Sequence, residues 1–203
     1  MVPVPPTAKI SKEMILNTVL EVTREQSFEA VNARSIAARL RCSTRPVFTC
    51  YENMEVLKQE FLEFAYRFYE RFVEEYRHSW DAGTGAAMAL CLPLSYIAFA
   101  QRETHLFRLL FVSDMALNMA QAKDFYAEIG NEARAAAFSE SIGVDSKAGK
   151  RIFLDLFLYT HGIAVLSADK KILLQEEEAG KMIQNVLSAL IIQENSCPTI
   201  PNS

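Results

Sequence analysis

Apolar residues recur every three or four positions along most of this chain, and glycine and proline are scarce inside the periodic stretches. This spacing places the apolar side chains on one face of a helix, so the pattern predicts an all-α fold. The predicted helices cover residues 9–26, 54–78, 86–102, 104–111, 115–137, 147–168 and 179–192. Turns are predicted at residues 80–85 and 141–145, and Gly130 and Asn131 are expected to interrupt the helix that contains them.

Two short helices joined by a tight turn follow the first long helix. In the first of them, Ile36, Ala37 and Leu40 share one face. Asn32 precedes this helix, where its side-chain oxygen can accept from the free backbone N–H groups of the first turn. Residues 41 and 42 are predicted to form the turn.

The second short helix is predicted to begin with Ser43 as its N-cap. Pro46 lies in the opening turn, where few backbone N–H groups have a helical partner. Val47 and Tyr51 are four residues apart and face inward, which leaves an outward edge of Thr44, Arg45, Phe48 and Thr49. Two helices of this kind describe a helix-turn-helix, whose second helix enters the major groove of DNA.

Residues 10–62 resemble the DNA-binding domain of the tetracycline-repressor (TetR) family of bacterial transcriptional regulators. The Ile36-Ala37 pair matches a pair in the second helix of the family. Residues 43–51 follow the pattern of the third helix without an insertion, and residues 53–57 match the stretch that usually comes next.

The resemblance implies an N-terminal three-helix DNA-binding head and a C-terminal helical body that binds a ligand and dimerises. The expected segments are a head over residues 8–53, a body over residues 54–195 and a flexible tail over residues 196–203. Residues 147–168 and 179–192 lie where the family builds its homodimer, as a four-helix bundle between two subunits. An intramolecular core would cover the same apolar residues and remains the alternative.

Eight residues are candidates for contact with double-stranded DNA. Arg45 is the first choice for a base contact, because its planar guanidinium can bond two acceptors of guanine. Arg34 matches a family position that reaches base or backbone, and Lys9 and Lys12 are candidate phosphate or minor-groove contacts. The remaining candidates are Thr44, Pro46, Phe48 and Thr49. For each residue, an ordinary solvated side chain is the alternative.

Three positions depart from the family pattern. Phe48 replaces a tyrosine whose hydroxyl bonds a phosphate, Cys50 stands where a polar group is common, and Met54 replaces a phosphate-binding lysine. Each lost charged contact predicts weaker DNA binding with a flatter salt dependence. The alternative function is therefore a helical protein-interaction module on the same scaffold, with weak or lost DNA binding.

The net charge of −4 hides an asymmetry along the chain. Residues 1–50 carry seven basic and four acidic side chains, a net charge of +3, so the remainder carries −7. A basic end on an acidic body suits a protein that contacts phosphates at one end, although an excess of three charges can also arise by chance.

The sequence contains no motif that is typical of an enzyme or of a metal-binding protein. The four cysteines have no CxxC spacing, the three histidines lie far apart, and no nucleophile, zinc or phosphate-loop motif is present. We therefore expect no enzyme activity, no metal and no cofactor. With neither a signal peptide nor an apolar stretch of about twenty residues, the protein is expected in the cytoplasm, away from the membrane.

Aromatic side chains and methionine are abundant in the body. Between helices they could line a cavity for a small apolar or aromatic effector, although plain core packing explains each residue alone. The candidates are Phe99, His105, Phe107, Phe111, Met115, Phe157 and His161. His161 is either a polar anchor for the ligand or a hydrogen-bonded core histidine. The resemblance adds weight to a cavity, because family members mostly release DNA when a small ligand binds. It implies a repressor that binds a palindromic operator as a homodimer.

Overall fold

The computed structural model describes residues 10–79, 85–113, 119–127 and 130–196, with side chains described from residue 89 onward in the helix that begins at residue 85. These residues form helices and turns without a strand, so the predicted all-α class is confirmed. The α-helices are α1 (Lys12–Gln26), α2 (Ala33–Arg39), α3 (Arg45–Cys50), α4 (Met54–Ser79), α5 (Gly85–Arg102), α6 (Thr104–Arg108), α7 (Asn131–Ile142), α8 (Ser146–Ala168) and α9 (Glu176–Ser196).

Some predictions fall on residues that the structure does not describe. Lys9 and Met115, both candidate site residues, lie outside the described ranges. So do most of the predicted break at 80–85 and all of the predicted tail beyond Ser196.

One predicted helix is wrong. Residues 119–121 are not helical, and residues Ala122–Ala127 form a short 3-10 helix in place of the α-helix expected over 115–137. The Asp124 carboxylate accepts hydrogen bonds from the backbone N–H groups of Ala120 and Gln121, which stabilises a turn. The predicted interruption is confirmed, because Gly130 adopts φ 88° and α7 begins at the next residue.

The apolar faces of the first four helices meet in one core. Ile15, Ile36, Val47 and Leu57 are fully buried and come from α1, α2, α3 and α4 in turn. This core fixes the angle between the two short helices and the rest of the head. Further along α4, Tyr69 packs edge-on against rings of the body, so one continuous helix joins the head to the body.

The body is a layered bundle in which α8 packs between α5, α7 and α9. By length and composition, the Ser146–Ala168 helix alone among the described residues passes as a membrane-spanning segment. Half of its most apolar window is buried within the protein, as in the core helix of a soluble protein, so this is weak evidence for a membrane span.

The residue that follows α1 is held in a strained backbone conformation. Ser27 adopts φ 97° and ψ 166°, a region that residues other than glycine rarely enter. Phe28 then packs against Phe61 with their ring centroids 5.6 Å apart, which holds the chain in this bend.

We expect Ser27→Gly to raise the free energy of unfolding by about 1 kcal/mol, because glycine adopts this conformation without strain. Urea denaturation measures the change. Ser27→Ala is the control, since it removes the hydroxyl but keeps the Cβ atom and should bring no gain. A Ser27→Gly protein no more stable than wild type would contradict the strain.

Candidate DNA-binding face and ligand cavity

Local hydrogen bonds fix the start of α2 and the turn after it. Asn32 Oδ1 accepts from the backbone N–H groups of Arg34 and Ser35, each at 3.0 Å, and the Ser35 hydroxyl accepts from the Asn32 N–H. The Asn32 cap predicted from the sequence is therefore confirmed. Arg41 takes φ 52° in the turn, and the N–H of Cys42 donates to the Ala37 carbonyl at 3.0 Å.

Helix α3 begins one residue later than the predicted cap implied. Thr44, not Ser43, is the N-cap, and its side chain makes no capping hydrogen bond. The prediction of a Ser43 cap is therefore wrong: the backbone turns at Thr44, whose carbonyl accepts from the Val47 N–H at 3.1 Å. Pro46 lies in the first turn, as predicted.

The outward edge of α3 combines a cation, an aromatic ring and hydroxyl groups. Arg45 and Thr49 are exposed, and 52% of Phe48 is accessible to solvent. Thr44 and Pro46 are half-buried beside them. The Thr49 hydroxyl donates to the Arg45 carbonyl at 2.9 Å, so its oxygen can still accept a hydrogen bond.

Three arginines of the helix-turn-helix carry uncompensated charge. Within the described residues 10–53, the side chains of Arg34, Arg41 and Arg45 are exposed and form no ion pair or hydrogen bond. Arg41 was not among the sequence candidates, because a turn residue carries no periodic signal. Arg41 adds a third exposed arginine in the turn between α2, which carries Arg34, and α3, which carries Arg45.

The other described cations of the head are paired. Lys12 lies 2.6 Å from a carboxylate oxygen of Glu60 and 4.8 Å from the Tyr51 ring centroid. Arg39 donates to the Glu25 carboxylate. The unpaired positive charge of the described head residues therefore lies on the helix-turn-helix. A DNA role for Lys12 stays a prediction.

Two of the three departures from the family pattern face the head rather than solvent. Cys50 is half-buried, and its thiol points toward the Ile10 carbonyl at 4.0 Å. Met54 is half-buried against the core. Of the three, only Phe48 is presented outward among the described residues.

Helix α6 connects the head with the far end of α8. Arg24 on α1 donates two hydrogen bonds, at 2.7 and 2.6 Å, to the Glu103 carboxylate just before α6. At the other end of α6, Arg108 lies 2.5 Å from a carboxylate oxygen of Asp169. A displacement of α6 would therefore act on the head directly.

A cavity of about 870 Å³ lies between α4, α5, α7 and α8. Aromatic and aliphatic side chains form most of its wall, with a few polar groups among them. The lining residues are Tyr66, Tyr69, Glu70, Ala89, Leu92, Pro93, Tyr96, Leu110, Phe111, Phe125, Gly130, Asn131, Arg134, Ala137, Phe138, Ser141, Phe153, Leu156, Phe157 and Thr160. The volume and the lining suit a small apolar molecule.

The structure brings some of the predicted pocket residues to this cavity and not others. Phe111 and Phe157 line it. Phe99 and Phe107 are fully buried behind the wall, and the half-buried His105 on α6 does not line it. The roles of all five in ligand binding stay predictions.

His161 lies behind the wall with a hydrogen-bonding partner. Its Nδ1 atom is 2.9 Å from the hydroxyl of Tyr96, which does line the cavity. Burial lowers the pKa of His161, which favours the neutral ring at pH 7. This geometry resembles the hydrogen-bonded core histidine that the sequence left as an alternative.

Sequence reasoning missed the polar groups of the cavity. Arg134 donates to the Tyr66 hydroxyl at 2.9 Å and to Asn131 Oδ1 at 3.3 Å. An arginine in an alanine-rich helix is most often solvated, so no signal in the sequence set Arg134 apart.

Among the described residues, no group of three or more His, Cys, Asp or Glu side chains could hold a metal ion. Cys42, Cys50 and Cys91 are free thiols.

No protein family model matches the sequence, and no curated protein matches it. A search of solved structures found a TetR-like transcriptional regulator from Rhodococcus sp. RHA1, with a TM-score of 0.63 and 12% sequence identity. The match covers 94% of this chain and 99% of that chain. At this identity the likeness establishes the fold. The fold that the sequence resemblance implied, an all-α body behind an N-terminal helix-turn-helix, is therefore confirmed.

Proposed function

We propose that the protein is a cytoplasmic DNA-binding transcriptional repressor that binds a palindromic operator as a homodimer and is released by a small ligand. The observation that carries this proposal is the exposed edge of Arg34, Arg41 and Arg45, which are unpaired among the described residues. Unpaired arginines can bond phosphates and guanine edges without first breaking an ion pair. The structural similarity to a transcriptional regulator supports the same function.

The outer faces of α8 and α9 support a homodimer. Leu158 and Leu166 are 51% and 46% exposed, eight residues apart on one face of α8, with the exposed Gly162 between them. On α9, Ile192 is 64% exposed. Burying such residues against the same helices of a second subunit would form a four-helix bundle and remove apolar surface from water.

Release by a ligand follows from the position of the cavity. Its wall includes Tyr66, Tyr69 and Glu70 of α4, the helix that also carries the head core. Two recognition helices must lie about 34–36 Å apart to enter successive major grooves. A ligand that prefers one tilt of α4 would shift the population toward a spacing that fits DNA poorly.

We expect Arg45→Ala to weaken binding to a specific site by about 1–3 kcal/mol, because a guanidinium that bonds a guanine edge loses both hydrogen bonds. The site is first selected from a random DNA library with the wild-type protein, and affinity is then measured by mobility shift. Arg77→Ala, at the far end of α4, is the matched control. An equal loss on specific and unrelated DNA would make Arg45 a phosphate contact instead.

The alternative function is a protein-interaction module with weak or lost DNA binding. The exposed ring of Phe48 favours it, because half-exposed aromatic residues often anchor protein interfaces. A library selection that enriches no sequence, with binding only at low salt, would favour this module over the repressor.

A further inference from the structure

Among the described residues that line the cavity, Arg134 is the one cationic side chain, and no described carboxylate pairs with it. The half-buried guanidinium of Arg134 donates to the hydroxyl of Tyr66 and to the amide oxygen of Asn131, and both partners are neutral. By contrast, other arginines are paired with carboxylates, among them Arg24, Arg39, Arg77, Arg108 and Arg151. A half-buried cation without a counter-charge is costly, so it favours binding of an anion.

The fold holds this guanidinium in a fixed place. Gly130 has φ 88°, and a Cβ atom there would lie 3.3 Å from Arg134 Nη1 and 3.4 Å from its Cζ. The side chain therefore lies close against the start of α7, where glycine leaves room for it. A guanidinium has five N–H donors, and two hydrogen bonds leave three donors for a ligand.

Glu70 is the acidic residue of the described cavity wall. Its position leaves the charge in the interior of the cavity positive. It is exposed, and it also lines a surface groove together with Arg67, Arg71 and Glu74. It makes no ion pair with Arg134. The negative charge of Glu70 therefore lies on the solvent side of the wall, whereas the guanidinium of Arg134 is half-buried and bonded to neutral groups.

We propose that the cavity binds a carboxylic acid with an aromatic body, and that Arg134 holds its carboxylate. The planar guanidinium matches a carboxylate with two parallel hydrogen bonds, and one cation balances one negative charge. The body of the acid lies among the rings of Phe111, Phe125 and Phe157. This inference rests on the proposed function, because the acid is the ligand that would change DNA binding.

Three probes with one ring system and different end groups test the charge preference: pyrenebutyrate, pyrenebutanol and pyrenebutylamine. Binding to the whole chain is followed by isothermal titration calorimetry. We expect the acid to bind about tenfold or more tightly than the alcohol, because a hydrogen bond to a charged group is stronger than one to a neutral group. The amine should bind most weakly.

Two variants test the assignment to Arg134. Arg134→Gln should abolish the preference for the acid over the alcohol, and Arg134→Lys should retain only part of it, because lysine keeps the charge but loses the planar fork. Arg77→Gln is the matched control: Arg77 is an exposed arginine paired with Glu74 on the surface, and its loss should leave the preference unchanged. Circular dichroism confirms that each variant is folded.

The proposal is overturned if wild type binds acid and alcohol equally, if it binds no acid, or if Arg134→Gln keeps the preference. Tighter binding of the amine would assign the site to Glu70 and also overturn it. The wild-type comparison does not depend on a variant folding. DNA binding is measured in parallel. Selective acid binding without DNA binding would contradict only the proposed regulator function. DNA binding without a preference for the acid would contradict only the carboxylate site.

Discussion

Gly149→Ala is expected to lower the free energy of unfolding by about 3 kcal/mol, the cost of overpacking a tight contact with little room to relax. A Cβ atom at Gly149 of α8 would lie 1.9 Å from the Oγ, 2.5 Å from the Cβ and 3.0 Å from the Cα of Ser139 on α7. The last distance involves backbone, so rotating one side chain cannot relieve the overlap. The two helices would have to separate, at a contact where Ser139 is 4% exposed.

Separation of α7 from α8 would also open the cavity, because Phe138 of α7 and Phe153 of α8 both line it and their ring centroids lie 5.4 Å apart. Thermal denaturation should show a midpoint roughly 10 °C lower, at about 2–4 °C per kcal/mol for a chain of this size. Pyrenebutyrate binding should weaken in parallel, measured below the new midpoint.

Gly180→Ala is the matched control for this substitution. Gly180 is also a helical glycine, but a Cβ atom there would meet only Leu94 Cδ1, at an ordinary 3.8 Å. Alanine should therefore stabilise α9 by up to about 1 kcal/mol. A Gly149→Ala protein that gains stability as Gly180→Ala does would show that α7 and α8 are farther apart than the structure has them.

Local patterns were sufficient to predict the helix-turn-helix. Ile36 and Val47 are fully buried as their spacing predicts, because each short helix has one inward face and one neighbouring core. The start of α3 was not predictable in the same way. Ser43 and Thr44 are both good N-caps, and only the path of the backbone through the turn selects Thr44.

The sequence was sufficient to predict which part of the chain contains a cavity, but not which residues line it. Aromatic residues are dense throughout the body. Phe99 and Phe111 both pack against Tyr69, with ring centroids 5.0 and 4.8 Å from its own. Phe99 is covered completely and Phe111 faces the cavity. A helix with several neighbours has no single inward face, so periodicity cannot distinguish these two positions. Arg134 could not be predicted either, because the hydrogen-bond partner that holds it at the cavity, Tyr66, lies on a different helix, α4.

The second large effect is expected from Leu158→Glu, which should convert the proposed homodimer to monomers and abolish tight binding to the selected DNA site. Leu158 lies at the exposed face of α8, and in the proposed four-helix bundle a glutamate there would bury a charge without a partner. Light scattering after size exclusion measures the mass, and mobility shift measures the affinity for the selected site.

The expected loss of affinity is about a hundredfold or more, toward the non-specific level, because a monomer contacts one half-site at a time. Leu173→Glu is the control: it introduces the same charge at a residue that is 81% exposed, between α8 and α9 rather than on a helix face. It should remain a dimer and bind the site as wild type does. If Leu158→Glu remained dimeric, the subunits would meet elsewhere, and the spacing of the two recognition helices would have to be set by a different surface.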